Sequence, residues 1–133
     1  GETEKPAKTG TQGATNEARI AFLESYGWQV EPEPVETLSL TLPKELEEPY
    51  LSYNVLQRAQ GFDLEPYAGK EVTKYTYTVL NYPDYPENVV VDLLFDDHRM
   101  IGADITYNDA ENGFTRALIN DTMQSGLTVT LTQ

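Results

Sequence analysis

Residues 89–107 read Val89-Val90-Val91-Asp92-Leu93-Leu94-Phe95-Asp96-Asp97-His98-Arg99-Met100-Ile101-Gly102-Ala103-Asp104-Ile105-Thr106-Tyr107, and this stretch decides the fold. Val89 to Phe95 is apolar on both sides of a strand except at Asp92, which predicts a central position in a sheet. Asp96-Asp97-His98-Arg99 is a polar turn. Met100 to Tyr107 then alternates, with Ile101, Ala103, Ile105 and Tyr107 expected inward and Gly102, Asp104 and Thr106 outward. Two apolar strands joined by a short polar turn make a hairpin.

Working outward, Val72 to Leu80 alternates Tyr75, Tyr77 and Val79 against Lys74, Thr76 and Thr78, so it is a further strand. The connection Asn81–Pro86 carries Pro83 and Pro86, which cannot donate to a ladder. Leu38, Leu40 and Leu42 alternate with Thr and Ser, the pattern of a half-buried strand ended by Pro43. Two helices flank that strand. The first starts at a Thr15 or Asn16 cap, uses Ala18, Ile20, Phe22, Leu23 and Tyr26 as its apolar side, and stops at Gly27 with Trp28 as closure. The second carries Leu46, Tyr50, Tyr53 and Leu56 along one stripe and stops at Gly61 and Phe62, with Pro49 either in its first turn or kinking it. After Asn108 the pattern weakens: Phe114, Leu118 and Ile119 suit a short docked helix, and Leu127–Leu131 a last strand or an ordered tail. The fold class is therefore α+β: a single antiparallel sheet of about four strands, with a β-meander in the C-terminal half and two helices packed on one face. Residues 16–133 form one domain, preceded by a disordered polar leader, residues 1–15, which has no aromatic or large aliphatic side chain to bury.

Composition narrows the function. With 22 acidic against 9 basic side chains, the net charge is −13. Nucleic acid is excluded as a partner, because phosphate binding needs a basic surface that releases counterions. The absence of cysteine removes disulfides, thiol nucleophiles and zinc–thiolate sites. The acidic charge is densest between Glu31 and Glu48, where Glu31, Glu33, Glu36, Glu45, Glu47 and Glu48 face the single Lys44. This reads as a solvated surface, with a cation-attracting patch as the alternative.

Catalytic signals are weak. His98, the only histidine, sits beside Asp97 in a turn. A general base or a small cation site there competes with the plainer reading of a solvated hairpin tip, and the plainer reading is preferred. Asp92 and Asp104 are placed to face each other across the hairpin, so an acid/base pair competes with ordinary surface or hydrogen-bonded carboxylates. The runner-up enzyme or cation site is thus Asp92, Asp97, His98 and Asp104. No serine elbow, phosphate loop or calcium loop is present, and no metal or cofactor is expected. Tyr75, Tyr77, Tyr82, Tyr85 and Tyr107 are candidates for an aromatic binding platform, against a reading in which Tyr75 and Tyr77 pack under the helices with their hydroxyls at the rim.

The run Tyr53-Asn54-x-Leu56-Gln57-x-x-Gln60-Gly61-Phe62-Asp63-Leu64-x-x-Tyr67-x-Gly69-Lys70 is followed by Tyr75-Thr76-Tyr77 and Asn81-Tyr82-Pro83. With Tyr26-Gly27-Trp28 upstream and Ile101-Gly102-Ala103-Asp104 downstream, it resembles an uncharacterised domain-of-unknown-function family, number 4830, over residues 17–120. The resemblance implies a short exported or membrane-tethered protein of clostridia-like bacteria, held to the membrane only through a removed N-terminal segment. It implies no activity and transfers no catalytic residue. The expectation is an extracytoplasmic, non-enzymatic binding or support module whose partner is a cell-surface glycan, a peptide or an envelope protein. A carboxylate-dependent hydrolase of a cell-wall or glycan substrate, and a purely structural or assembly module, are the alternatives.

Overall fold

The computed structural model describes residues 15–123. Helix α1 (Asn16–Glu24) begins at Thr15, whose side chain accepts from the Ala18 N–H, so the residue expected to close the leader is the helix cap. Strand β1 (Glu36–Thr41) follows, then α2 (Tyr50–Ala59) and a single 3-10 turn at Glu65–Tyr67. Strands β2 (Glu71–Thr78), β3 (Val89–Asp96), β4 (Arg99–Tyr107) and β5 (Phe114–Arg116) complete the order. All five strands pair antiparallel in one open sheet, β1-β2-β3-β4-β5, with β3 at its centre as its two-sided apolar pattern requires. Pro49 stands immediately before α2 rather than kinking it, and Gly61, at φ +93°, supplies the left-handed residue past its end.

Four expectations are corrected. The helices do not share a face. Leu23 of α1 packs with Tyr77, Val91, Leu93, Phe95, Ala103 and Ile105, whereas Tyr50 and Tyr53 of α2 lie with Val72, Leu94 and Ile101. Successive side chains of a strand point to opposite faces, so these two clusters lie on opposite sides of the sheet. A β3 that is apolar on both sides needs cover on both. Next, the hairpin tip is tighter than its four polar residues suggest. Asp96 pairs with Arg99, leaving Asp97-His98 as a two-residue loop with Asp97 at φ 57°. A register shift follows: Leu94 opposes Gly102 and Phe95 opposes Met100, so Ile101 is an extra residue and turns to the α2 face instead of joining Ala103 and Ile105. Finally, Phe114 belongs to the short fifth strand, not to a helix. The leader through Ala14 and the segment Leu127–Leu131 lie outside the described residues.

The two faces are covered differently. On the α1 face the core is largely aromatic. Trp28 is fully buried, donates from Nε1 to the Leu118 carbonyl and stacks on Tyr82, with ring centroids 5.1 Å apart. On the α2 face, the helix residues that are buried are polar, Asn54 and Gln57. Gly102 permits this approach. A Cβ there would lie 3.1 Å from Gln57 Oε1 and 3.3 Å from Leu94 Cδ1. Gln57 Oε1 accepts from the Ala103 N–H, and Gln60 Nε2 donates to the Ala103 carbonyl. These two side chains do for β4 what a longer β5 would do, because β5 pairs only with Ile105–Tyr107. The half-buried strand expected at Leu38–Leu42 is more open than its pattern suggests. Leu38 is 40% exposed, and only Leu42, just past β1, is buried.

Candidate functional site: a carboxyl pair in a groove of the sheet

α2 covers only part of its face of the sheet, and beside it lies a groove of about 330 Å³. Leu40, Leu42 and Leu94 line it from the sheet, Pro49, Tyr50 and Tyr53 from the helix, with Asp92 and Asp104 among the sheet residues and Lys74, Thr106 and Thr115 also lining it. Asp92 and Asp104 are direct cross-strand partners and therefore share a face. Their placement opposite one another agrees with the alternation read from the sequence.

Three of the four carboxyl oxygens have hydroxyl donors. Thr76 Oγ1 donates to Asp92 Oδ1 at 2.6 Å, Tyr53 Oη to Asp104 Oδ1 at 2.5 Å, and Thr106 Oγ1 to Asp104 Oδ2 at 2.7 Å. As direct cross-strand partners the two carboxyls stand side by side, close enough for the charge of one to act on the other. Asp104 is only 3% exposed. Burial, then the neighbouring Asp92 charge, push its carboxyl up to about 7, against the opposing pull of the Tyr53 and Thr106 hydroxyls. Two like charges side by side in a desolvated site cannot both form cheaply, so Asp104 holds its proton up to about pH 7. The Tyr53 phenol is itself driven well above its ordinary value, by burial first and then by the Asp104 charge, and it remains a donor across the physiological range.

The other candidates lie elsewhere. His98 and Asp97 are at the hairpin tip, with His98 Nε2 3.7 Å from Asp97 Oδ1 and both side chains substantially exposed. They do not join Asp92 and Asp104. The four-residue candidate site therefore divides into a groove pair and a surface pair.

The tyrosines do not build an exposed platform. Tyr77 is fully buried under α1, its hydroxyl bonded to Asn16 and accepting from Arg19 Nε. The Arg19 guanidinium lies 3.7 Å over the half-buried Tyr75 ring. Tyr82 is buried against Trp28, and Tyr85 and Tyr107 pack with each other and with Phe114. Their apolar rings serve the core that α1 closes.

Tyr53 and Lys74 enter the site without having been singled out for it. In the sequence Tyr53 sits on an apolar stripe, and nothing local marks its hydroxyl for a carboxyl 51 positions away. The outward side of β2, where Lys74 alternates with Thr76, was the one signal available for Lys74.

A family model described as a domain of unknown function, DUF4830, matches residues 22–105. The chain belongs to the DUF4830 family. The matched span runs from the last turn of α1 to Ile105, two residues before the end of β4, so Tyr53, Asp92 and Asp104 all fall within the DUF4830 domain, whereas Thr106 and β5 with Thr115 fall beyond it. No curated protein and no solved structure matches the chain. Among the described residues of this DUF4830 protein, no helix is long and apolar enough to cross a membrane.

Proposed function

We propose that this DUF4830 domain is a non-enzymatic binding module of the bacterial cell surface, with the groove beside α2 as its ligand site. The observation that carries this reading is the carboxyl pair in a groove lined largely by apolar side chains. Apolar walls with a few fixed polar groups are the usual make-up of a small-ligand site. Here the Thr76, Tyr53 and Thr106 hydroxyls hold the carboxyls in place. Both carboxyls project from the same sheet face as direct cross-strand partners, whereas glycoside hydrolysis sets its two carboxyls on either side of the scissile bond. The extracytoplasmic location is supported by the resemblance described above.

The test is methyl NMR of Leu40, Leu42 and Leu94 with oligomers of N-acetylglucosamine and with short peptides as probes. Shifts confined to these methyls, with the probe recovered intact, support the reading. Silence with both probe classes overturns it. A second reading rests on the proton that burial holds on Asp104 beside Asp92: a neutral carboxyl next to a second carboxyl can act as acid while its neighbour acts as base on a water. That hydrolase reading expects cleaved probe, and loss of cleavage in Asp104→Asn.

A further inference from the structure

The two edges of the sheet are treated differently. At the β4–β5 edge, the exposed length of β4 is closed by Gln57 and Gln60, and Gln60 Oε1 goes on to accept from the Leu118 N–H. At the other edge β1 is left open. Leu42 donates to the Lys70 carbonyl, and β1 pairs Leu40 with Val72, Leu38 with Lys74 and Glu36 with Thr76. The Val79 N–H bonds to the Val89 carbonyl on the far side of β2, so by alternation Val72, Lys74 and Thr76 turn their backbone groups toward β1. The amides and carbonyls of Thr37, Ser39 and Thr41 therefore point away from the sheet, and among the described residues none has a hydrogen-bond partner. All residues of β1 except Leu40 are exposed. The strand Glu36-Thr37-Leu38-Ser39-Leu40-Thr41 has no Pro and no Lys, and its one charged residue is Glu36 at the N-terminal end, so Thr37 to Thr41 carries no charge or Pro to block an added strand.

We propose that the outer edge of β1 is the docking site for an extended, basic polypeptide segment of a partner protein, which adds to the sheet as a sixth strand. Charge selects the partner. β1 lies in the most acidic stretch of the chain, with Glu31, Glu33 and Glu36 at one end and Glu45, Glu47 and Glu48 beyond the other. A second copy brings the same acidic edge and a net charge of −13, so self-pairing is opposed. Lys or Arg side chains on an added strand are attracted, while its alternate residues lie beside Leu38 and Leu40. The edge adjoins the carboxyl groove at Leu40, but the two are read separately, by amide protection at Thr37, Ser39 and Thr41 for the edge and by the Leu94 methyls for the groove, so either proposal can fail alone.

The experiment uses the full 133-residue chain and amide hydrogen exchange read by NMR. The probe is an end-capped peptide of about nine residues alternating Lys and Val, matched by one alternating Glu and Val. The Lys peptide is expected to slow exchange at Thr37, Ser39 and Thr41 by about tenfold or more, with the effect falling as salt rises from about 0.05 M to about 0.5 M. The Glu peptide is expected to have no effect. Thr37→Pro removes an outward N–H without touching the β1–β2 ladder, so it should keep the thermal midpoint and lose the protection at Ser39 and Thr41. If that variant does not fold, Glu45→Gln/Glu47→Gln/Glu48→Gln replaces it and should weaken the response to the Lys peptide. No slowing by the Lys peptide, or equal slowing by both peptides, overturns the proposal. So does protection present without peptide, whether it grows with protein concentration, which assigns the edge to a second copy, or disappears when residues 124–133 are deleted, which assigns it to the chain itself.

Discussion

Asp104→Asn isolates the cost of placing an ionisable group in the groove. In the folded chain the Asp104 carboxyl titrates at about 7 rather than 3.8, because it is buried and beside Asp92. A raised folded value means that the native state binds more protons than the unfolded one between these two pH values. Stability contributed by this group is therefore full below about pH 3.8 and is lost as pH rises to about 7. At about 1.36 kcal/mol per pH unit, that interval corresponds to about 4 kcal/mol, with no further change at higher pH. Asparagine keeps the shape and cannot ionise. Its Oδ1 still accepts from Tyr53, its amide donates toward Asp92, and Thr106 can turn its hydroxyl toward Thr115, 3.1 Å away. Urea unfolding of both proteins from pH 4 to pH 8 measures the difference directly and cancels every group they share. The two should agree within about 1 kcal/mol at pH 4, and the variant should become the more stable by up to about 4 kcal/mol at pH 8. A difference that stays constant across this range would refute the coupling of burial, Asp92 and the Asp104 proton.

Other substitutions probe the same framework. Tyr53→Phe leaves Asp104 Oδ1 without its donor in a buried site, which should cost about 1–3 kcal/mol. It should also move the Asp104 carboxyl titration, followed by carbon-13 NMR, further upward, since the phenol hydrogen bond opposes the rise. Leu93→Ala opens a cavity at a fully buried position of the central strand and should cost about 2–5 kcal/mol in denaturant unfolding. His98→Ala, at the exposed hairpin tip, should change stability by no more than about 0.5 kcal/mol and leave probe binding to the groove unchanged.

Periodicity is a local property, and the sequence by itself determined what is local. The two-sided apolar run Val89–Phe95 fixed the central strand, and the alternation from Met100 to Tyr107 placed Asp104 opposite Asp92. Gly27 and Gly61 marked the helix ends. Tertiary structure decided the rest, because the remaining choices depend on partners distant along the chain. Which face each helix covers is settled by the opposed sets Leu93–Ile105 and Leu94–Ile101, and a one-residue bulge at Ile101 moved a side chain from one set to the other. Phe114–Arg116 became a strand because β4 offered an edge, although its own pattern is too short to specify one. The candidate site shows the same division. The carboxyl pair was visible as a cross-strand possibility, but its burial and its phenolic donor come from Tyr53, which α2 brings across 51 residues of chain, and burial is what holds a proton on Asp104 near neutral pH.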